Sequence, residues 1–314
     1  MELTGAQIIA ECLLEQRVDT VFGYPGGAVL NIYDALYEYR DRIRHVLTAH
    51  EQGAAHAADG YARSTGKAGV VIATSGPGAT NLVTGIATAY MDSIPMVAIT
   101  GNVAVELLGR DSFQEVDITG ITMPVTKHNF AVKRVEDLAD IIRRAFQIAQ
   151  SGRPGPVLID VPKDITASRC QYERQSPLPL SPSPRPEESR LAKAAEMLRQ
   201  SKRPFLYAGG GVIASGAAPE LLRFAETLQA PVCTSLMGLG GFPEDHPLSL
   251  GMIGMHGSYA AGMALDHSDL IVVLGARFSD RVAGDREKFG KQAKILQLDV
   301  DLSEVDKTYW WTGT

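Results

Sequence analysis

The sequence predicts an α/β protein made of two consecutive doubly wound, parallel-sheet domains. Three observations carry this. Short β-branched runs alternate with helical stretches up to about Lys163, a proline-rich segment then interrupts the alternation, and a second alternating series follows it. Alternation of this kind is what strand–helix–strand crossovers produce, and strands buried on both faces read as short continuous apolar runs. At 314 residues the chain is long enough for two cores of ordinary size.

In the first domain, strands are expected at residues 19–22, 45–47, 69–73, 96–100 and 156–161, and helices opening at Gly5, Ala28, Glu51, Thr80 and Val135. A polar loop at 101–112 breaks the alternation. Pro177, Pro179, Pro182, Pro184 and Pro186 crowd the stretch 167–189, too many for a helix or a central strand, so it reads as a stiff connector. The domains are therefore placed at 1–166 and 190–314. In the second, helices are expected at 187–201 and 217–228 and from Tyr259, with strands at 205–207, 231–234, 270–274 and 295–298. The pattern stops there, so this domain is expected to be incomplete.

Composition narrows the function. Apolar residues make up 45% and charged residues 21%, as in globular proteins, and the net charge of −6 comes from interleaved acidic and basic residues. Neither nucleic acid nor an anionic membrane surface is expected to bind such a chain. No apolar run approaches the roughly 20 residues of a membrane span. Met1 and Glu2 lead into an amphipathic helix pattern without the basic and apolar regions of a secretory signal. Cys12, Cys170 and Cys233 are few, odd in number and far apart, which fits reduced thiols in a cytoplasmic compartment and no cysteine-based metal site.

Glu51 stands out among the polar residues. It follows a short apolar segment and opens a helix whose neighbours up to Ala62 are mostly Ala, Gly and His. Its surroundings are expected to be poorly solvated, a condition that suits a carboxyl group to proton transfer. On this run alone it could equally be a first-turn acid complementing the helix dipole. Tyr24-Pro25-Gly26-Gly27 and Thr74-Ser75-Gly76-Pro77-Gly78 lie at strand-to-helix turns. Their glycines serve either turn geometry or a ligand. Gly209-Gly210-Gly211-Val212-Ile213-Ala214 is a literal G-x-G-x-x-A after a strand, the sign of a nicotinamide dinucleotide site. That reading needs an acid ending the next strand, about 20 residues on; 231–234 has none, and Glu226 falls in the preceding helix.

The order and spacing of six motifs decide between these readings. They are Phe22-Gly23-Tyr24-Pro25-Gly26-Gly27, His50-Glu51-Gln52, the run Thr74 through Asn81, Asp92-Ser93-Ile94-Pro95, Phe113-Gln114-Glu115 and Ser151-Gly152-Arg153-Pro154-Gly155-Pro156. Together they resemble the thiamine-diphosphate-dependent enzymes, and within these the acetolactate synthase branch, as far as about Lys307. The resemblance implies a thiamine-diphosphate pyrimidine-binding domain followed by a central, FAD-binding-type domain. It implies condensation of two pyruvates, or of pyruvate with 2-oxobutanoate, with release of CO₂, in branched-chain amino-acid biosynthesis.

By the same resemblance Glu51 is the acid that hydrogen-bonds the cofactor's aminopyrimidine and so assists loss of the thiazolium C2 proton. Gln114, Phe113 and Lys163 reach the active site or its mouth, and Tyr24, Pro25, Gly26, Gly27 and Asn81 line the cofactor. FAD contacts carry over onto Arg153, Gly209, Gly210, Gly211, Leu236, Met237, Met255, His256, Gly257, Gly275, Ala276, Arg277, Asp280, Arg281 and Asp299. Glycine lets the backbone approach a dinucleotide, arginine meets phosphate, and an acid at a strand end accepts ribose hydroxyls. Ser279 and Leu302 depart from the usual residues of the branch.

The resemblance further implies a homodimer or tetramer with active sites shared between chains, and a small regulatory subunit. It also implies a third domain that holds Mg²⁺ and the diphosphate through a Gly-Asp-Gly stretch. No Gly-Asp-Gly occurs in this sequence, and the final Tyr309-Trp310-Trp311-Thr312-Gly313-Thr314 does not match the family. The chain is thus expected to be a fragment, incomplete for catalysis; the alternatives are a piece of another thiamine-dependent carboligase or oxidase, or a fragment that binds FAD or a partner without turning over substrate.

Overall fold

A computed structural model gives the fold and describes residues 1–183, 185–284, 289–305 and 307. The chain divides into two compact units, Met1–Pro182 and Ser183–Thr314. In chain order the first unit contains β1 (Glu2–Thr4), α1 (Gly5–Glu15), β2 (Thr20–Gly23), α2 (Leu30–Glu38), β3 (Arg44–Leu47), α3 (Glu51–Thr65), β4 (Gly69–Ala73) and α4 (Pro77–Asn81). There follow α5 (Val83–Asp92), β5 (Met96–Asn102), α6 (Ile118–Thr122), β6 (His128–Ala131), α7 (Val135–Gln150), β7 (Pro156–Pro162), α8 (Lys163–Ala167) and β8 (Arg169–Gln171). Six strands form one parallel sheet in the order β3-β2-β4-β5-β7-β6, and β1 pairs with β8 in a separate antiparallel ribbon.

Side chains alternate between two cores. Val70, Ile72, Val97, Ile99, Val157 and Ile159 enter the core shared with α1, α2 and α7, while Val71, Ala73, Met96, Ala98 and Leu158 enter the one shared with α3, α4 and α5. Both faces are covered, which is why β4 reads as an unbroken apolar run and β7 as one interrupted only by Asp160. The alanines of α3 that face β4 and α5 are explained by packing. A Cβ on Gly69 would lie 2.2 Å from the Ala58 carbonyl oxygen, and one on Gly85 would lie 2.3 Å from Ala55 Cβ. His50 caps α3, accepting the Gln52 N–H at 3.1 Å, and Gly66 closes it at a φ of +71°.

A buried ion pair fastens the far end of this unit. Arg143 on α7 donates Nε to Glu15 Oε2 at 2.9 Å and Nη2 to Glu15 Oε1 at 2.8 Å, with side chains 4% and 0% exposed. Glu15 also accepts Tyr172 Oη at 2.5 Å and the Gln175 N–H at 2.8 Å, and Arg143 donates to the Glu173 carbonyl at 2.8 Å. Burial alone would raise the Glu15 carboxyl, yet these donors together hold it below the usual carboxylate range.

The stretch expected as a bare connector thus begins with structure. Cys170 and Tyr172 pack on the core of the first unit, and β8 gives its backbone groups a partner in β1. Further along, Gln147 Nε2 donates to the Pro179 carbonyl at 2.6 Å and the Ser181 N–H donates to Ser151 Oγ at 3.1 Å.

The second unit contains α9 (Glu188–Gln200), β9 (Pro204–Ala208), α10 (Gly210–Ala214), α11 (Ala218–Leu228), β10 (Val232–Thr234), β11 (Ser249–Met252), α12 (Tyr259–Asp266), β12 (Leu270–Leu274), α13 (Asp280–Ala283) and β13 (Lys294–Leu298). Its five strands are parallel, in the order β11-β10-β9-β12-β13. The sequence pattern misses four strands: β1 and β8, of three residues each, β6, whose run opens with His128 and Asn129, and β11, which contains Gly251 at a φ of +76°. None of the three cysteines forms a disulfide. Among the described residues no helix is long and apolar enough to cross a membrane. The terminal residues Tyr309 to Thr314 lie outside the described residues.

Replacing Arg143 by Met leaves Glu15 charged and buried without its partner. We expect a loss of about 3–5 kcal/mol in the urea unfolding of the first unit, largely recovered by adding Glu15→Leu. A loss under about 1 kcal/mol would mean that solvent screens the pair.

Candidate active site

In the first sheet the chain runs outward from β2 to β3 and then returns to place β4 on the other side of β2. The segment after β2 leads to α2 on one face, and the segment after β4 leads to α4 on the other. Connections that part in this way leave a crevice beyond the carboxyl ends of the strands, the usual ligand position in doubly wound folds. Residues 24–27, Glu51 and residues 74–78 follow β2, β3 and β4 at that edge.

Their contacts are close. A Cβ on Gly26 would lie 2.5 Å from Thr74 Cβ, and the Ala28 N–H donates to Thr74 Oγ1 at 3.3 Å. Glu51 is 8% exposed, and its one hydrogen bond among the described residues comes from Asn81 Nδ2 to Oε2, at 2.9 Å. Its other oxygen, Oε1, would lie 3.2 Å from a Cβ on Gly78, which would also sit 2.6 Å from Thr74 Cγ2. Glycine at 78 therefore keeps open the space beside Oε1, and that oxygen is an acceptor ready for a ligand's N–H. Gly27 meets nothing within 4 Å of its would-be Cβ, and Tyr24 is 42% exposed. Neither is explained by packing within the unit.

The loop carrying Phe113 and Gln114 reaches the same edge. Gly76, at a φ of +59°, would place a Cβ 2.7 Å from the Gln114 carbonyl oxygen, so the loop rests on the turn after β4. Phe113 is 86% exposed. Lys163 opens α8 directly after β7 and is exposed. Arg153 lies beyond α7, where its Nε donates to Ser93 Oγ at 2.8 Å.

Two buried polar groups escaped the sequence reading. Among the described residues Tyr33 Oη and His45 Nε2 have no hydrogen-bond partner, and their rings meet edge-on at 4.9 Å. Burial first, then the charge of Glu51, raises the Tyr33 hydroxyl above the usual phenol range, and burial lowers His45. Asp160 on β7 accepts Thr100 Oγ1 at 2.7 Å and Asn102 Nδ2 at 2.5 Å, both from β5. Burial pushes its carboxyl up to about 6, the two donors opposing and the charge of Asp117 adding to the rise. Only residues 58 and 60 positions away in sequence reveal this cluster, so no local signal could have found it.

The second unit repeats the plan. Its chain runs from β9 through β10 to β11 and then crosses to β12 and β13, so β9 and β12 flank the parting of connections. Gly209, Gly210 and Gly211 follow β9, Leu236 and Met237 follow β10, and Met255, His256 and Gly257 follow β11. Gly275, Ala276 and Arg277 follow β12, with Asp280 and Arg281 opening α13, and Asp299 ends β13. All these expected FAD residues therefore gather at one edge of one sheet.

The glycines there have a use that the sequence did not suggest. A Cβ on Gly209 would lie 2.3 Å from the Gly275 carbonyl oxygen, and one on Gly211 would lie 2.7 Å from Gly275 Cα. They let two loops of the chain meet, while the Gly211 N–H donates to Gly275 O at 3.0 Å. Thr234, which ends β10 where a nicotinamide site would need an acid, has a buried Oγ1 without a partner among the described residues. Among the described residues no group of His, Cys, Asp and Glu is arranged to hold a metal ion.

Comparison with known proteins gives the family. Residues 3–121 match the model for the thiamine pyrophosphate enzyme N-terminal TPP binding domain, and residues 191–312 match that for the thiamine pyrophosphate enzyme central domain. The chain belongs to the thiamine pyrophosphate enzyme family. The second match runs past Lys307, where the motifs alone had placed the end of the resemblance.

Within the family the chain is similar to acetolactate synthase large subunits. That of Buchnera aphidicola subsp. Schizaphis graminum is 50% identical over 311 residues, covering 98% of this chain and 54% of that protein. That of Corynebacterium glutamicum is 52% identical over 308 residues, covering 97% and 49%. The acetolactate synthase of Mycobacterium bovis is 50% identical over 309 residues, covering 98% and 50%. The chain spans about half the length of the curated relatives it matches.

The position of Asp160 makes a pH prediction. Its folded value of about 6 lies above the ordinary 3.8, so the associated stability is present below about pH 4 and lost as pH rises through 6. Relative to Asp160→Asn, the parent should lose about 2 kcal/mol of unfolding free energy between pH 4 and 7. Parallel stability–pH curves for the two proteins would contradict it.

Proposed function

We propose that the chain forms part of an acetolactate synthase, which condenses two pyruvates, or pyruvate with 2-oxobutanoate, and releases CO₂. The observation that carries this reading is the buried Glu51 carboxylate, held through one oxygen by Asn81 and cleared of side chains at the other by Gly78. Thiamine diphosphate, when bound, supplies a thiazolium carbon that must lose its proton before it can add to a 2-keto acid. Glu51 would share a hydrogen bond with the aminopyrimidine ring at Oε1, favouring its imino tautomer, with Asn81 fixing the orientation of the carboxyl group and the small residues of α3 excluding water. Tyr24, Pro25, Gly26 and Gly27 would line the cofactor, and Gln114, Phe113 and Lys163 would meet the 2-keto acid.

Mg²⁺ and the diphosphate would be held by a third domain of the kind the resemblance implies. No residue of these two units is assigned to them. FAD would lie along the carboxyl edge of the second sheet, where Arg277 and Arg281 suit phosphate, Asp299 suits ribose, and Thr234 Oγ1 offers an unpartnered polar atom. The protein would act in the cytoplasm, in branched-chain amino-acid biosynthesis. It would work as a dimer or tetramer whose active sites are shared between chains, with a small regulatory subunit as the name of its relatives suggests.

Two measurements test this reading. In an enzyme completed with the remaining half of the Corynebacterium glutamicum relative, Glu51→Gln should lower kcat for acetolactate at least about 10²-fold, the scale of a lost acid–base group. Unchanged deuterium exchange at the thiazolium carbon would sink the role of Glu51. In the 314-residue chain, flavin fluorescence titration should give FAD binding that Arg277→Ala weakens by about 1.5–3 kcal/mol. Equal affinity in the folded variant would remove Arg277 from the site.

A further inference from the structure

The loop between β5 and α6 is tied by one carboxylate. Glu115 accepts the Gly109 N–H at Oε1 and the Ser112 N–H at Oε2, the latter at 3.0 Å. Its own N–H donates to the Ser112 carbonyl at 3.0 Å, and Ser112 Oγ donates to the Leu107 carbonyl at 2.9 Å. The four contacts close a small ring of backbone over residues 107–115.

Within that ring, Asp111 and Gln114 hold left-handed φ values of +54° and +56°, which residues other than glycine seldom adopt unless their surroundings fix them. Gln114 then rests on Gly76, two residues before the Gly78 that abuts Glu51. Phe113 is left 86% exposed, a large apolar surface held open by an ordered loop. The backbone amides of Gly109 and then Ser112 hold the Glu115 carboxyl below the usual range, so the clasp is charged at neutral pH.

We propose that Glu115 is a positioning residue, a carboxylate clasp whose bonds to the backbone of Gly109 and Ser112 set Gln114 on the turn after β4 and present Phe113 at the mouth of the candidate site. Its value to catalysis rests on the reading that these two residues meet the 2-keto acid. The clasp itself is a property of the folded chain. Glutamine is the informative replacement, because it keeps the length of the side chain but turns an N–H₂ group toward one of the two donors.

Hydrogen exchange of the 314-residue chain tests the clasp without any ligand. In Glu115→Gln the amides of Gly109 and Ser112 should exchange at least about tenfold faster, the scale of a lost charge-assisted hydrogen bond. Trypsin should cut after Arg110 faster by a similar factor, while amides of β4 and β5 keep the parent rates. Glu115→Asp, which retains the charge on a shorter stem, should recover part of the protection. Loop exchange in Glu115→Gln identical to the parent would overturn the proposal. So would equal loosening of β4 and β5, which would make Glu115 a general stabiliser. Because no cofactor or turnover enters the measurement, its failure is separate from failure of the Glu51 assignment.

Discussion

Every strand of each main sheet points its carboxyl end the same way, and helices cover both faces, so each unit has one edge at which chemistry can be placed. The strand order then selects the spot on that edge. Where the chain reverses direction across the sheet, at β2 and β4 in the first unit and at β9 and β12 in the second, the helices that follow part to opposite faces while the loops themselves stay in contact, Gly26 against Thr74 and Gly209 against Gly275. The positions of Glu51, Thr74 and Gly78, and of Gly209, Gly275 and Arg277, follow from that single constraint.

What fills the first crevice is chosen for smallness as much as for chemistry. Glu51 sits at the start of a helix whose alanines, met by Gly69 of β4 and Gly85 of α5, let those elements come within contact of its backbone. A larger residue at 55, 58, 78 or 85 would displace the frame that holds the carboxylate before it touched any ligand. Asn81 contributes one neutral donor and no ion pair, which fixes the direction of Glu51 without neutralising it. An arginine in the same place, as at Glu15, would satisfy both oxygens and leave nothing for a cofactor.

The sequence made much of this legible, for physical reasons that can be named. β4 and β7 were visible because burial on both faces demands mostly apolar runs, and α3 because the run of small residues after Glu51 is local. β6 and β11 were not, since a polar opening and a left-handed glycine obscure strands that only their parallel neighbours specify. Glu51 alone remained open to a helix-dipole reading, because the donor that orients it is 30 positions away. The glycines after β9 were read as room for a dinucleotide, whereas Gly209 and Gly211 first make room for Gly275. Asp160 and Tyr33 depend on partners brought together by the sheet and have no signature in their own neighbourhoods.

The antiparallel ribbon of β1 and β8 has a consequence for the order in which the first unit is made. Glu2, Leu3 and Thr4 pair with Gln171, Cys170 and Arg169, so a strand made early waits for a partner about 170 positions later. Glu15 waits as long for Tyr172 and Gln175. Until those residues emerge, the nascent chain carries an unpaired strand and an acid with only part of its clamp, the kind of exposed edge on which chaperones act. The six-stranded sheet can form beforehand, but the unit is latched only by the residues that lead out of it.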